Sequence, residues 1–443
     1  MVLFKKGKTH IPHRKNAADM PAVRMTPPAT VKLLMSQHIG AHAKPVVKVG
    51  DAVYVGTLIG EAGGYVSANV YSSVSGTVKK IEPYLIATGR TADAVIIESD
   101  GNMTTDPSIN PPAVANFKEL SDAAAKCGLV GLGGAGFPTA VKLDAGKIGS
   151  IDTLVVNGAE CEPYITSDTR TMIDEAAYVK KGISLILDLS GIKSAVIGIE
   201  KNKPLAIEKM NEVFSDDSRV SVVPLPSVYP QGGEKILIYN TTGRTVMEGE
   251  LPSSVGVLIM NVTTVAHLAK FVETGMPTVE KCVTVDGSAI KEPKNIIAPV
   301  GTSIGEIIEA AGGLSREPGK VLCGGPMMGI AQYSLEAPIT KTTNAIVVLD
   351  RKEGKISETT PCIHCGRCVS VCPMGLTPTE FAKAMSLANS ADRAEKLDMW
   401  KVNVCIECGS CSYVCPAKRP LVENNRLAKA DLRQFNADKA KKA

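Results

Sequence analysis

A chain of 443 residues has room for about three domains, and at 44% hydrophobic but only 4% aromatic its cores must be aliphatic. The net charge of +4 is too small for the large, clustered basic footprint of a nucleic-acid binder. No apolar run reaches the roughly 18 residues that suggest a membrane span. The start, MVLFKKGKTHIPHRK, has no apolar secretory core, so a cytoplasmic protein docked on something else is expected.

The first predicted elements are short strands. PVVKVGDAVYVGTLIGEA (45–62) and VYSSVSGTVKKIE (70–82) alternate β-rich runs with Gly-Asp and Ser-Gly turns. They predict a barrel-sandwich, lipoyl-like module. Such modules carry a modified lysine at a hairpin tip. The tip region GYVSANVYSSVSG has no lysine, so a docking surface is expected instead of a swinging arm. His38 and His42 flank it and read as core or surface histidines.

FKELSDAAAKCG (117–128) reads as a helix and leads into CGLVGLGGAGFPTAVKL (127–143). By letter, Gly131, Gly133 and Gly136 spell G-x-G-x-x-G. A dinucleotide fingerprint must follow a strand, and here a helix precedes it. No Gly-Lys-Ser/Thr follows at P-loop spacing either. A glycine-rich backbone feeding a helix at Pro138, with Lys142 one turn on, describes an anion site for a phosphate. A plain tight turn is the alternative. TLVVNGAECEPYITSDTR (153–170) opens as a strand ending at Asn157, and Glu160 and Glu162 follow in irregular, Pro-bounded chain. Acids at the C-terminal end of a strand suit a ligand site in an open α/β sheet; a solvated turn is the alternative. Cys161 reads as buried and inert more readily than as a reactive thiol. Farther on, VTVDG is a strand and turn, and GTSIGEIIEAAGG is a helix ended by glycines.

Eight of the twelve cysteines fall between Cys362 and Cys415, a clustering that favours metal ligation over a disulfide framework. Cys362, Cys365, Cys368 and Cys372 form C-x2-C-x2-C-x3-C-P, and Cys405, Cys408, Cys411 and Cys415 repeat it. In such runs the fourth cysteine ligates the other cluster. One [4Fe-4S] cluster is therefore assigned to Cys362, Cys365, Cys368 and Cys415, the other to Cys405, Cys408, Cys411 and Cys372. Structural zinc is the rival reading, although three cysteines in one turn-rich segment are not its usual layout. His364 reads as a spacer. Residues 376–400 between the runs read as helix, too long an insert for a compact two-cluster ferredoxin. The tail RLAKADLRQFNADKAKKA carries six Lys/Arg against two Asp and reads as a solvated helix, with an acidic partner or membrane surface as the weaker reading.

GLGGAGFPTAVK matches the G-x-G-G-x-G-F-P-x-x-x-K loop of the flavin subunit of respiratory complex I, which wraps FMN. QHIGAHAKPVVKVGD (37–51), NGAECEPY (157–164), YPQGGEK (229–235), GGPMMG (324–329) and the doubled cysteine run follow in one order over nearly the whole chain. In that order they resemble the C subunit of the Rnf complex, a ferredoxin:NAD oxidoreductase. The resemblance implies a multidomain α/β fold. Its parts are a β-rich barrel-sandwich region (1–112), an α/β FMN/NADH domain (113–275), a β-grasp module (276–350) and a helical ferredoxin-like domain (351–443). It implies non-covalent FMN, NAD(H) and two [4Fe-4S] clusters. The implied partners are a ferredoxin-like B subunit and membrane subunits that couple electron transfer to ion export, with the chain peripheral on the cytoplasmic side of the cell membrane.

By the same resemblance Gly131, Gly133, Gly134 and Gly136 line the flavin, with Lys142 near its phosphate and Phe137 beside the nicotinamide nucleotide. Asn157 and Gly233 approach the flavin, and Asn261 and Thr264 hold the ribityl phosphate. Glu160, Glu162 and Glu234 face the reacting edge as the catalytic acids. Two departures stand out. The complex I pattern has Asp where this chain has Ala159, and an aromatic just past the lysine where this chain has Leu143, Asp144 and Ala145. Rival readings are a soluble relative (a cobalamin reductase or a proline-reductase-associated flavoprotein) and a docking subunit that has lost its flavin. The second resembles the A subunit of the sodium-pumping quinone reductase.

Overall fold

The computed structural model describes residues 7–87, 89–144 and 148–442. The chain enters as an irregular strap, residues 7–22, with a turn at 16–20, followed by a two-residue strand, β1 (Val23–Arg24). Two small sheets come next. One orders β2 (Thr30–Leu34), β8 (Thr91–Ser99), β7 (Gly76–Leu85) and β4 (Ala52–Val53); the other orders β3 (Lys44–Pro45), β5 (Leu58–Glu61) and β6 (Val70–Tyr71). Every pairing is antiparallel. Val31, Leu33, Val53, Ile59, Val70, Val78 and Ile97 fill the space between them. Alternation puts these aliphatic residues on inner faces, where each buried side chain contributes roughly 1.5–3 kcal/mol. His38 serves structure here: its ring bonds to Ile39 O and to the Ala68 amide, both at 3.2 Å.

Helix α1 (Phe117–Lys126) is capped by Asn116, whose side chain accepts from the Glu119 amide. The glycine-rich loop and the four-residue α2 (Thr139–Lys142) follow. An all-parallel sheet then runs β11 (Val220–Leu225), β10 (Ser194–Glu200), β9 (Thr153–Asn157), β12 (Val257–Asn261). Numbered along the chain this is 3-2-1-4, the doubly wound order of dinucleotide-binding folds. The connections carry α3 (Ser167–Asp174), α4 (Ala176–Ser190), α5 (Pro204–Val213) and α6 (Glu234–Thr242), and α7 (Val262–Thr274) leaves β12. One face buries Leu154, Val156, Ile197 and Met260 against α1, α4 and α7.

The third unit is a mixed sheet ordered β1, β14 (Lys294–Pro299), β13 (Glu280–Asp286), β17 (Ala345–Asp350), β15 (Pro318–Cys323), β16 (Ile330–Ala331). Its central pair β13–β17 is parallel and the flanking pairs are antiparallel, as in a β-grasp. Helix α8 (Ile304–Ala310) crosses it behind a capping box of Ser303 and Glu306. The last unit is helical: α9 (Arg367–Ser370), α10 (Pro378–Ala384), α11 (Ser390–Met399), α12 (Ser410–Tyr413) and α13 (Leu421–Lys442). Phe381, Leu397, Val402, Ala428 and Leu432 form its core.

Two sequence expectations change. The segment 376–400 is two helices with a break at 385–389, not one. The tail is not a free solvated helix: Asn425, Ala428 and Leu432 of α13 are buried. Spaced three and four apart, they lie on one helix face and pack against the cysteine loops.

Candidate functional site

The sheet reverses its order between β9 and β12, and open α/β sheets bind ligands beyond the strand C-termini at such a point. The register sets Asn157 opposite Asn261 there. Asn261 caps α7: its Oδ1 accepts from the Thr264 amide at 3.1 Å, and its Nδ2 donates to Asp168 at 2.8 Å. The Thr263 hydroxyl donates to the other Asp168 oxygen at 2.6 Å. Burial, then neighbouring Glu160, push the Asp168 carboxyl up.

The glycine-rich loop reaches this point from outside the sheet and rests on the cap of α7. The Leu132 amide donates to Thr264 Oγ1 at 2.9 Å, and buried Lys281 of β13 donates to Leu132 O at 3.1 Å. Gly131 N to Phe137 O, at 2.9 Å, closes the loop at its base. A Cβ on Gly133 would lie 2.7 Å from Asn261 Nδ2, so only glycine lets the loop settle there; Gly134, at φ +140°, faces open space. Among the described residues the amides of exposed Gly133, Gly134 and Ala135 meet no protein acceptor. Unpaired amides beside the first turn of a 13-residue helix form an anion cradle, which fits the phosphate end of FMN. Lys142 Nζ lies 3.8 Å from Glu234 Oε2 and donates to Ile259 O at 3.3 Å. Asn157 Nδ2 donates to Gly232 O at 3.0 Å, fastening the Gly232–Glu234 segment to the strand end.

Both departures have local explanations. Ala159 is buried among Val155, Leu225 and Leu237, where a carboxylate would lose its water without a partner. Leu143 is fully buried in the core, and Asp144 accepts from the Tyr65 hydroxyl of the barrel at 2.7 Å. Ala145 lies outside the described residues.

Two expected catalytic acids are turned elsewhere. Glu160 is buried, and its oxygens accept from the Asp168 amide at 2.8 Å and the Thr169 hydroxyl at 2.8 Å. It caps the N-terminus of α3, where the helix dipole favours an anion. Glu162 accepts from the amides of Met327 and Met328 at 3.1 and 2.7 Å, pinning the GGPMMG loop of the β-grasp sheet. Burial pushes its carboxyl up to about 7. Glu234 stays half-exposed at the crevice. Between the two acids, burial pushes the Cys161 thiol up to about 12, so it remains protonated and inert.

The eight clustered cysteines rim two cavities. Cys372, Cys405, Cys408 and Cys411 line one, with Phe381, Val422 and Asn425. Cys362, Cys365, Cys368 and Cys415 line the other, with Ile363, Arg367 and Leu421. Each takes three cysteines of one run and the Pro-preceding cysteine of the other. Among the described residues no three His, Cys, Asp or Glu side chains converge on a single ion. The thiols instead ring two separate hollows, four to each, a layout that suits a group with several metal atoms of its own better than one ion. Burial pushes Cys372 up to about 11 and, with neighbouring thiols, Cys411 up to about 12. A cationic iron core held there would reverse this, because a coordinating thiol is deprotonated.

The first cavity abuts the crevice. Tyr229, just before Gly232–Glu234, donates its hydroxyl to Cys408 O at 2.7 Å, and a Cβ on Gly233 would lie 3.6 Å from Ile406. The second cavity faces outward: residues 363–367, including Cys365, are exposed.

Sequence reasoning missed the strap. Thr9 pairs with Tyr229 through both backbone bonds, and Lys15 Nζ donates to the carbonyls of Glu160, Glu162 and Ile165 at 2.5–2.8 Å. Arg14 pairs with Glu353 at 2.6 Å, and Gly7 packs on Pro373. A lysine in an irregular segment carries no periodic signal, so nothing in the sequence marked it.

Four family models match the chain: an RnfC barrel sandwich hybrid domain over residues 2–102, a Nuo51 FMN-binding domain over 124–270, an SLBB domain over 282–331 and a 4Fe-4S dicluster domain over 358–419. Among relatives, the C subunit of the Na(+)-translocating ferredoxin:NAD(+) oxidoreductase complex of Acetobacterium woodii is 44% identical over 96% of each chain. The C subunit of the proton-translocating ferredoxin:NAD(+) oxidoreductase complex of Clostridium ljungdahlii is 41% identical over 85% of this chain and 83% of its own. The C subunit of the ion-translocating oxidoreductase complex of Rhodobacter capsulatus is 38% identical over 83% of this chain and 72% of its own.

Proposed function

This chain belongs to the C subunits of Rnf-type ferredoxin:NAD(+) oxidoreductase complexes, and from that premise we propose how its residues divide the work. It is an electron-transfer subunit of a multi-subunit oxidoreductase, with an FMN-binding domain and a 4Fe-4S dicluster domain. The amides of Gly133, Gly134 and Ala135, with the N-terminus of α7, hold the flavin phosphate, and Lys142 balances its charge. Asn261 and Thr264 act one step back: their polar atoms are engaged with Asp168, the α7 cap and Leu132, so they shape the cradle. Gly131 and Gly136 shape its base, Asn157 and Gly233 support the flavin ring, and Phe137 flanks the nicotinamide nucleotide. Glu234 is the acid open to the reacting edge; Glu160 and Glu162 are positioning residues. FMN supplies the chemistry that joins two-electron NAD(H) to one-electron carriers. Cys372, Cys405, Cys408 and Cys411 hold the inner [4Fe-4S] cluster; Cys362, Cys365, Cys368 and Cys415 hold the outer one.

The observation that carries this reading is the seating of the Cys405–Cys408 loop on the Tyr229–Glu234 segment. It supports a path from crevice to inner cysteines to the exposed outer ones, and so to partner subunits. Those partners include the ferredoxin-like B subunit and the membrane subunits that couple transfer to ion export. Among the described residues no helix is long and apolar enough to cross a membrane. We place the chain peripherally on the cytoplasmic side, divided at 1–112, 113–275, 276–350 and 351–443.

Cofactor analysis of the purified protein tests the reading. About one FMN and about eight irons are expected, with the flavin bleached by NADH. Lys142→Ala is expected to lose flavin and keep iron. Iron without flavin, even after reconstitution, would return the chain to the flavin-free docking reading.

A further inference from the structure

The C-terminal helix α13 brings a buried amide to the inner cysteines. Leu421 lines the outer cavity, while Val422 and Asn425 line the inner one. Leu421 and Val422 pack with Cys411, Cys368 and Cys415, so the first turn of α13 is the wall between the two cavities. Asn425 comes next on the same face, ahead of Ala428 and Leu432, in a stripe that is otherwise apolar. It is 1% exposed. Its Nδ2 donates to Cys405 Sγ at 3.4 Å, and its buried Oδ1 has no partner among the described residues.

That placement is poor for packing alone. A buried amide left half-satisfied is unfavourable beside an apolar side chain of the same shape, and leucine would complete the stripe. One turn on, Lys429 donates to Cys405 O at 3.0 Å and to Glu407 at 2.6 Å, so α13 grips the Cys405 loop and holds the amide against its sulfur. The two cavities differ in this respect. Around the inner one, the amides of Leu376 and Glu407 also donate to Cys372 and Cys405 sulfurs, at 3.3 and 3.4 Å. Around the outer one, the His364 amide donates to Cys362 at 3.4 Å and the Val369 amide faces the Cys368 sulfur, but among the described residues no side-chain amide is shown donating to a sulfur there.

We propose that Asn425 sets the reduction potential of the inner cluster, raising it by an N–H···S bond to Cys405. An N–H donor on a ligating thiolate favours the more negative, reduced state, and hydrogen bonds to sulfur together with burial are the protein's levers on such potentials. Burial alone makes the inner cluster harder to reduce than the exposed outer one. The bond from Asn425 counters that burial at the position next to the flavin crevice, so electrons entering there are not stalled. The inference rests on the iron–sulfur reading of the eight cysteines.

The test is an EPR-monitored redox titration of the full chain with iron and sulfide analysis alongside. Asn425→Leu is expected to keep both clusters and to shift the inner potential downward by about tenfold in its redox equilibrium, about 59 mV for one electron. The outer potential is expected to stay. Asn425→Asp keeps the volume but removes the donor and adds negative charge, and is expected to shift the same couple at least as far. Asn425→Gln restores a donor and part of the shift. Unchanged inner potentials in both Asn425→Leu and Asn425→Asp would overturn the proposal. Loss of the inner cluster from both would also overturn it, by making Asn425 a structural support. An absence of iron from the wild-type chain would instead defeat the cluster reading beneath it.

Discussion

At the scale of single residues the crevice depends on what is absent as much as on what is present. Gly133 has no side chain because Asn261 occupies that space, and Asn261 in turn is bound to Asp168 and to the cap of α7. Gly133→Ala must therefore push Asn261 off its partners. It is expected to weaken flavin retention roughly tenfold, about 1.4 kcal/mol, with iron content unchanged. Flavin dissociation measured by fluorescence checks this, and equal retention would remove Gly133 from the cradle. Glu160 and Glu162 show the limit of reading residues from a motif. The sequence marks them as acids after a strand, but only the fold shows that one caps α3 and the other pins the GGPMMG loop.

Among the elements, the N-terminal strap carries the most consequence for its length. Its Lys15 satisfies three carbonyls of the acid loop with one ammonium group. Lys15→Met takes this donor from the Glu162 and Ile165 carbonyls and leaves Glu160 O with Lys203 Nζ at 3.2 Å, and the expected loss is on the order of 3 kcal/mol in denaturant unfolding. A variant as stable as the wild type would show that the clamp is idle. The pH dependence has a definite sign. Burial, then the nearby Lys203, lower Lys15 from 10.5 to about 8. Between those values the unfolded chain binds more protons, so the wild type gains stability as pH rises through the window. The deficit of Lys15→Met is expected to widen there.

Across the whole molecule, four units meet around one line from the crevice to the inner and then the outer cavity. The β-grasp loop is wedged into it: Gly409 packs on Met327 O, and Arg426 donates to Met328 O at 2.9 Å. This layout predicts an asymmetry between the two cysteine sets. With Cys365→Ser, NADH is expected to reduce the inner cluster as in the wild type. With Cys408→Ser, NADH is expected to leave the outer cluster oxidised while dithionite still reduces it. Rapid-freeze EPR distinguishes the two, and reduction of the outer cluster by NADH in Cys408→Ser would reverse the order.

The parts whose chemistry is local were legible in one dimension. Cysteine spacing, the glycine-rich run with Pro138 and Lys142, and the alternating strands of the barrel each act within one or two turns of chain, so their pattern survives without the fold. Whether the glycine-rich run was a phosphate loop or a plain turn was not local. The fold adds its placement, resting on α7 beyond the β9–β12 reversal although it precedes both strands in the chain, and that placement supports the phosphate reading. Folding settled which acids stay open and which cysteine set lies next to the crevice. It also brought Lys15 and Asn425 to their places. Most of these depend on a partner more than a hundred residues away or on the face a helix presents, and even Glu160, whose partners lie eight and nine residues on, needs the chain to turn back onto α3; burial and hydrogen-bond partners are properties of the folded chain.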